Sequence, residues 1–275
     1  MTNILISEDI SCLGQVSMTA SLPVLAVFGF NPVVLPTAIL SSHTGYPGNT
    51  FLDMSTQMPE MLAQWRDLQL NFDAVYLGYL GHSVLDFWLT NIAEFSKSLI
   101  LLDPAMADHG KLYRGLDAVY VKKMRQLAEH ADILTPNLTE ARLLLDLPCE
   151  QADSIEEAKE LANKLAEVFK LKQVVITGIE LDELIAVVGW DHGNTWQLMR
   201  PKTGRSFFGT GDLFASCLLG ELLKGMNLQT ACALAADFII EAIAKTGRQD
   251  PRLGPNANLA LPWLIRRVNN ERERL

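Results

Sequence analysis

The sequence predicts an α/β fold in which a mostly parallel central sheet is flanked by helices. Three observations carry this. Short apolar or β-branched runs alternate with longer amphipathic stretches up to about residue 177, a hairpin pattern with antiparallel strands near 183–200 then breaks the alternation, and polar clusters recur at the ends of the predicted strands. The first strand is predicted at 3–7 and the first helix near 13–28. A second strand at 32–37 and a helix near 56–69 follow, with no room for extra strands between the second and third strands. Strands at 73–78, 98–102, 132–135 and 173–177 then alternate with helices near 83–96, 113–130, 138–145 and 154–169. Segments 183–190 and 194–200, split by Asp191-His192-Gly193-Asn194, form the hairpin. Helices at 210–224, 227–246 and 256–269 close the chain. No repeat, low-complexity tract or linker divides it, so 1–275 reads as one domain.

Composition narrows the function classes. The chain is 49% hydrophobic and 20% charged, a balance that supports a sizeable core. A net charge of −9 without a basic stripe argues against a nucleic-acid partner. The C-terminal Arg266, Arg267, Arg272 and Arg274 are interrupted by Glu271 and Glu273, which reads as a solvated helix end. No apolar run reaches the roughly 18 residues of a membrane span, and the start lacks the basic segment of a signal peptide. Cys12, Cys149, Cys217 and Cys232 are too widely spaced for a zinc or redox pair. Buried, reduced thiols in a cytoplasmic protein are expected.

In open parallel sheets, ligands bind outside the carboxyl ends of the strands. Asp9 and Ser11 follow the first predicted strand, and Ser41-Ser42-His43-Thr44-Gly45-Tyr46 follows the second. Tyr79, Asp103, the pair Asn137 and Glu140, and Thr177 follow the next four. The coincidence of six such loops predicts a small-molecule site.

Residues 207–220 are the most informative stretch. Gly209-Thr210-Gly211 runs directly into an apolar helix, whose first N–H groups and positive dipole end suit a phosphate. Asp212 would repel an anion there, unless it takes a proton from a hydroxyl that attacks the phosphate. Thr and Asp are also ordinary helix caps. Asp103-Pro104 through Asp108 either holds Mg²⁺ through water or is a turn. Asn137 and Glu140 fit a capping box, which leaves Glu140 free to touch a metal as well. His43 is either an acid/base or a hydrogen-bonding residue. The nucleotide and dinucleotide glycine fingerprints and the Gly-x-Ser-x-Gly elbow are missing, which disfavours P-loop, Rossmann-cofactor and triad-hydrolase chemistry.

Taken together, Gly-Tyr-Leu-Gly (78–81), Asp-Pro-Ala-Met-Ala-Asp (103–108), Thr-Pro-Asn-Leu-Thr-Glu (135–140) and Gly-Thr-Gly-Asp (209–212) resemble the ribokinase-like small-molecule kinases. Asp-Ile-Ser-Cys-Leu-Gly (9–14) and Leu-Ser-Ser-His-Thr-Gly-Tyr (40–46) are similar to the pyridoxal/pyridoxamine kinases within them. The likeness runs from about residue 3 to residue 265. It implies a ribokinase-like three-layer sandwich and ATP-dependent phosphorylation of the 5′-hydroxyl of pyridoxal, pyridoxine or pyridoxamine. By the same resemblance Asp212 is the base, and Gly209, Thr210 and Gly211 present N–H groups to the phosphate. Asp103, Asn137 and Glu140 place Mg²⁺ and the phosphates, with Asp103 and Glu140 nearest the metal. Thr177 lies by the nucleotide, and Asp108 lies between the ATP and substrate sides. Asp9, Ser11, His43, Thr44 and Tyr79 surround the pyridine ring. ATP and Mg²⁺ are the implied cofactors, a monovalent cation is left open, and a homodimer is the family expectation. Many relatives carry a ring-contacting Ser near the end of the first strand; here Ser7 and Ser11 compete for that place. The rivals are hydroxymethylpyrimidine kinase, whose members usually carry Cys where this chain has Asp212; sugar or nucleoside kinases of the superfamily, which usually carry an extra lid of strands near the N-terminus; and a non-catalytic vitamer-binding homologue.

Overall fold

A computed structural model describes residues 2–149 and 154–272. In chain order, β1 (Asn3–Ser7) and β2 (Ile10–Ser11) precede α1 (Met18–Val27), and β3 (Asn31–Val34), β4 (Ala38–Leu40) and β5 (Phe51–Asp53) precede α2 (Met58–Asp67). Then come β6 (Ala74–Leu77), α3 (His82–Asn91), β7 (Leu99–Leu102), the short β8 (Ala107–Asp108) and β9 (Lys111–Leu112), and α4 (Ala118–Ala128). β10 (Ile133–Leu134), α5 (Leu138–Leu144), α6 (Ile155–Phe169) and β11 (Gln173–Glu180) complete the alternating part. β12 (Leu184–Asp191), β13 (Asn194–Pro201), α7 (Thr210–Leu223), α8 (Leu228–Lys245) and α9 (Leu261–Arg272) end it.

Eight strands form the central sheet in the order β13-β12-β11-β10-β7-β6-β1-β3. From β3 to β11 every pairing is parallel, and β12 and β13 add an antiparallel hairpin at one edge. Side-chain alternation sends Leu5, Val75, Leu77 and Leu102 to a core with α2 to α6. It sends Ile4, Ile6, Tyr76 and Leu101 to a second core with α1, α7, α8 and α9. The sheet is therefore buried on both faces, as parallel strands require. Consecutive strands pass to opposite sides of β1, with β3 on one flank and β6 on the other, so the loops after them splay apart.

Three expectations need correction. The strand predicted at 32–37 ends at Val34. Pro36 has no N–H to give a ladder, and beyond it Ala38–Leu40 leaves the main sheet to pair with β2 and β5. In the resulting three-stranded sheet, β4 and β5 are extra strands between the second and third predicted strands, where the sequence showed no room for them. The helix predicted from 13 begins only at Met18, because Gly14 (φ 98°) and Ser17 (φ 47°) hold the backbone outside helical space. That leaves residues 12–17 as a loop over the carboxyl end of the sheet.

Candidate active site

The head of α7 is built by a contact that leaves no space for a side chain. Gly209 adopts φ 79°, and a Cβ there would stand 2.6 Å from the Gln15 carbonyl oxygen. The helix therefore starts flush against loop 12–17, and Thr210, Gly211 and Asp212 form its first turn with N–H groups free of intrahelical partners. Across the gap, the Ser17 N–H donates to Asp212 Oδ2 at 2.6 Å. Burial pushes the Asp212 carboxyl up to about 6, the Ser17 N–H opposes the shift, and the Asp9 charge adds to it. A half-buried carboxylate titrating near neutrality, held by one backbone N–H, has a free oxygen with which to take a proton.

Other carboxyls crowd the same end of the sheet. Asp103 follows β7 and makes no side-chain hydrogen bond among the described residues. Its carboxyl is raised well above the usual range by burial, then by the charges of Glu140, Asp212 and Glu8. A Cβ on Gly211 would lie 3.7 Å from Asp103 Oδ2, so that carboxyl faces the head of α7. Asp9, which follows β1, accepts from Ser11 Oγ at 2.7 Å and is raised chiefly by burial. Glu140 sits in the capping box of α5. Its Oε2 accepts from the Asn137 N–H at 3.0 Å, and its Oε1 accepts from the N–H groups of Met106 (3.0 Å) and Ala107 (3.3 Å). Burial lifts Glu140 to about 8 against those three donors.

Three loops clasp the opposite side. The Gly45 N–H donates to His43 Nδ1 at 3.1 Å, which leaves the ring proton on Nε2, 2.8 Å from the Arg252 carbonyl. The His43 ring packs between Tyr46 and Phe208, and the Arg252 guanidinium lies over Tyr46 while pairing with Asp250. Both ring nitrogens are thus engaged, and the structure gives His43 a hydrogen-bonding, ring-stacking place rather than that of a free acid/base. Tyr79 faces Asp9, Asp53 and Arg114, and burial pushes its phenol up to about 12. Arg114 also bonds Asn49, joining the loop after β9 to the loop before β5.

The predicted residues therefore fall into groups. Asp9, Asp103, Glu140 and Asp212 are close enough for their charges to act on one another, directly or through one member of the set. Ser11 bonds Asp9, and Thr44 is half-buried in the His43 loop. Thr177 meets Asn137 in a parallel bridge beside the α5 cap. The Asn137 amide is spent on structure, with Oδ1 accepting from the Glu140 N–H and Nδ2 donating to the Ala107 carbonyl. Asp108 is exposed on the β8–β9 hairpin and bonds the His109 N–H. Of the thiols, only Cys217 and Cys232 are buried; Cys149 is half-buried and Cys12 exposed, against the expectation for all four. Sequence reasoning missed Glu8, Ser17, Tyr76 and Tyr113, whose hydroxyl faces Glu140, Asp108, Asp103 and Asp212. No group of three or more His, Cys, Asp or Glu side chains converges tightly enough to hold a metal ion among the described residues. A surface cavity of about 640 Å³ between α4, α5 and α6 contains none of these acidic residues.

A family model for phosphomethylpyrimidine kinase matches residues 19–257, almost the whole fold including the head of α7 and the clasp. The chain belongs to the phosphomethylpyrimidine kinase family. A curated relative of this family member, the pyridoxine/pyridoxal/pyridoxamine kinase of Bordetella avium (strain 197N), is 27% identical over 266 residues, covering 90% of this chain and 85% of its own. Among solved structures, the pyridoxal kinase of Lactobacillus plantarum is 32% identical with a TM-score of 0.88, covering 100% of this chain and 99% of its own. A Bacteroides thetaiotaomicron VPI-5482 protein of the same family description, solved in a crystal form with pyridoxal, is 36% identical with a TM-score of 0.89, covering 98% and 96%. No helix among the described residues is long and apolar enough to cross a membrane.

Proposed function

We propose that this phosphomethylpyrimidine kinase family member transfers the γ-phosphoryl group of ATP to the 5′-hydroxyl of a B6 vitamer, pyridoxal, pyridoxine or pyridoxamine. The observation that carries the mechanism is Asp212 at the head of α7, oriented by the Ser17 N–H and titrating near 6. Phosphoryl transfer asks the protein mainly for alignment and charge compensation. Asp212 aligns the hydroxyl and accepts its proton as the O–P bond forms. The N–H groups of Gly209, Thr210 and Gly211 face the transferring phosphate. Asp9, Ser11, Thr44, Tyr79 and the His43 clasp surround the ring.

Asp103 is the carboxyl best suited to Mg²⁺, since no side-chain hydrogen bond holds it among the described residues, and with one free carboxyl the remaining ligands would be phosphate oxygens and water. When bound, the cation offsets the charge of the phosphates against this acidic sheet end. Glu140 contributes indirectly, by fixing the loop that leads from Asp103, and Asn137, Thr177 and Asp108 border the nucleotide side. A homodimer is the assembly we infer; the paired Ile39 and Leu52, both exposed on the small sheet, supply an apolar face for it.

The test is ATP-to-ADP turnover with Mg²⁺ against pyridoxal, pyridoxine, pyridoxamine and hydroxymethylpyrimidine in parallel. Turnover with a pyridine vitamer is expected, and its ranking names the preferred one. The second reading, a pyrimidine alcohol as substrate, is favoured by the family description; turnover with the pyrimidine alone would establish it. Silence on all four with folded protein would leave a binding homologue.

A further inference from the structure

Glu8 is the most deeply buried carboxyl near the base, and nothing in the mechanism above uses it. It follows β1 with no solvent exposure, and among the described residues no Lys, Arg or His side chain bonds it. Its Oε2 accepts from Ser21 Oγ of α1 at 2.8 Å. Its Oε1 and the fully buried hydroxyl of Tyr76 lie beside each other without a hydrogen bond of standard geometry, and neither atom has another partner among the described residues. Gly78 stands next to it in the β1–β6 register, where a Cβ would come within 2.6 Å of Oε1. The carboxyl therefore fills a slot that the neighbouring strand leaves open for it.

Two arguments meet on this residue. An ionised carboxylate buried without a cation, near Asp9 and Asp212, is far costlier than a neutral one. The groups that surround it from β1, α1, β6, α7 and the loop after β7 are Asp9, Ser21, Tyr76, Asp212 and Asp103, and none carries positive charge. A short chain of bonds also runs from it to the base. Ser21, which bonds Glu8, donates its N–H to the Ser17 carbonyl at 3.0 Å, and the Ser17 N–H holds Asp212.

We propose that Glu8 is a positioning residue for Asp212, standing behind it as a protonated, uncharged carboxyl that pins the first turn of α1. This rests on the reading of Asp212 as base. Glu8 thus aims the Ser17 N–H at Asp212 without adding a second negative charge beside it.

The experiment compares Glu8→Leu with Glu8→Gln in the intact chain. Glu8→Leu removes the acceptor of Ser21, and kcat is expected to fall at least about tenfold with KM for ATP little changed. Glu8→Gln keeps an acceptor and no charge, so it should restore kcat to within about threefold of wild type, with the acid limb of kcat/KM unmoved. Its melting temperature should exceed that of wild type by a margin that widens from pH 5 to pH 8, because only wild type must keep a proton on that carboxyl as pH rises. Glu8→Gln as impaired as Glu8→Leu, a displaced acid limb, or a pH-independent melting difference would each overturn the proposal. Wild-type turnover in Asp212→Asn would overturn the base reading instead, and the melting comparison would still decide whether Glu8 holds a proton.

Discussion

Asp212 works as a base only when ionised, and its carboxyl is raised to about 6. The expected kcat/KM profile therefore falls as pH drops through about 6, with Asp212 limiting the acid side. Asp212→Asn should lower kcat by roughly two orders of magnitude, the usual scale for loss of a general base, with a smaller effect on substrate affinity. Steady-state kinetics between pH 5 and 9 check both. This residue was legible in the sequence, because an acid in a phosphate-binding turn has few other uses. Glu8 was not. No motif marks it, and fully buried glutamates without a cationic partner are rare. Tyr113 was also out of reach, since its place depends on the hairpin of two-residue strands β8 and β9.

The turn from Gly209 into α7 and the cap of α5 carry the remaining local predictions. Gly209→Ala combines a positive φ with a Cβ 2.6 Å from the Gln15 carbonyl, so it should cost about 1–3 kcal/mol and weaken turnover as α7 backs away from loop 12–17. Denaturant unfolding and kcat on the same preparation measure the two effects. Glu140→Gln places an NH₂ group among three backbone N–H donors, so a loss of about 1–3 kcal/mol is expected, together with a higher Mg²⁺ requirement as the loop after Asp103 loosens. An unchanged Mg²⁺ titration would confine Glu140 to structure. The capping box was readable from residues 137–140 alone, because its bonds are local. The three-stranded sheet was not readable, because its members are two or three residues long and offer no alternation to detect.

Across the molecule the buried carboxyls act in one direction. Glu8, Asp9, Asp103, Glu140 and Asp212 all titrate above their ordinary values, with burial the leading cause each time. The folded protein then holds more protons than the unfolded chain between their unfolded and folded pKa values. Stability from these groups is full below about pH 4 and is lost as pH rises through about 6 for Asp212 and about 8 for Glu140. Thermal melts without ligand should therefore show lower stability at pH 8 than at pH 5.5, and Mg²⁺ with nucleotide should restore more at the higher pH. The alternating sheet and its ligand-binding end could be inferred from the sequence, since both follow from period and strand order. The charge coupling could not, because it arises only where loops from both halves of the chain converge.

That convergence also sets a timetable. Ser17 and Asp212 are 195 positions apart, His43 and Arg252 are 209 apart, and Gln15 and Ala257 are 242 apart. A ribosome that has made the first two hundred residues has made nearly all of the sheet and none of the head of α7. Until about residue 257 has emerged, the growing polypeptide has no assembled pocket with which to retain a vitamer. A nascent chain stalled before that point should bind neither pyridoxal nor nucleotide, however well its first core has formed.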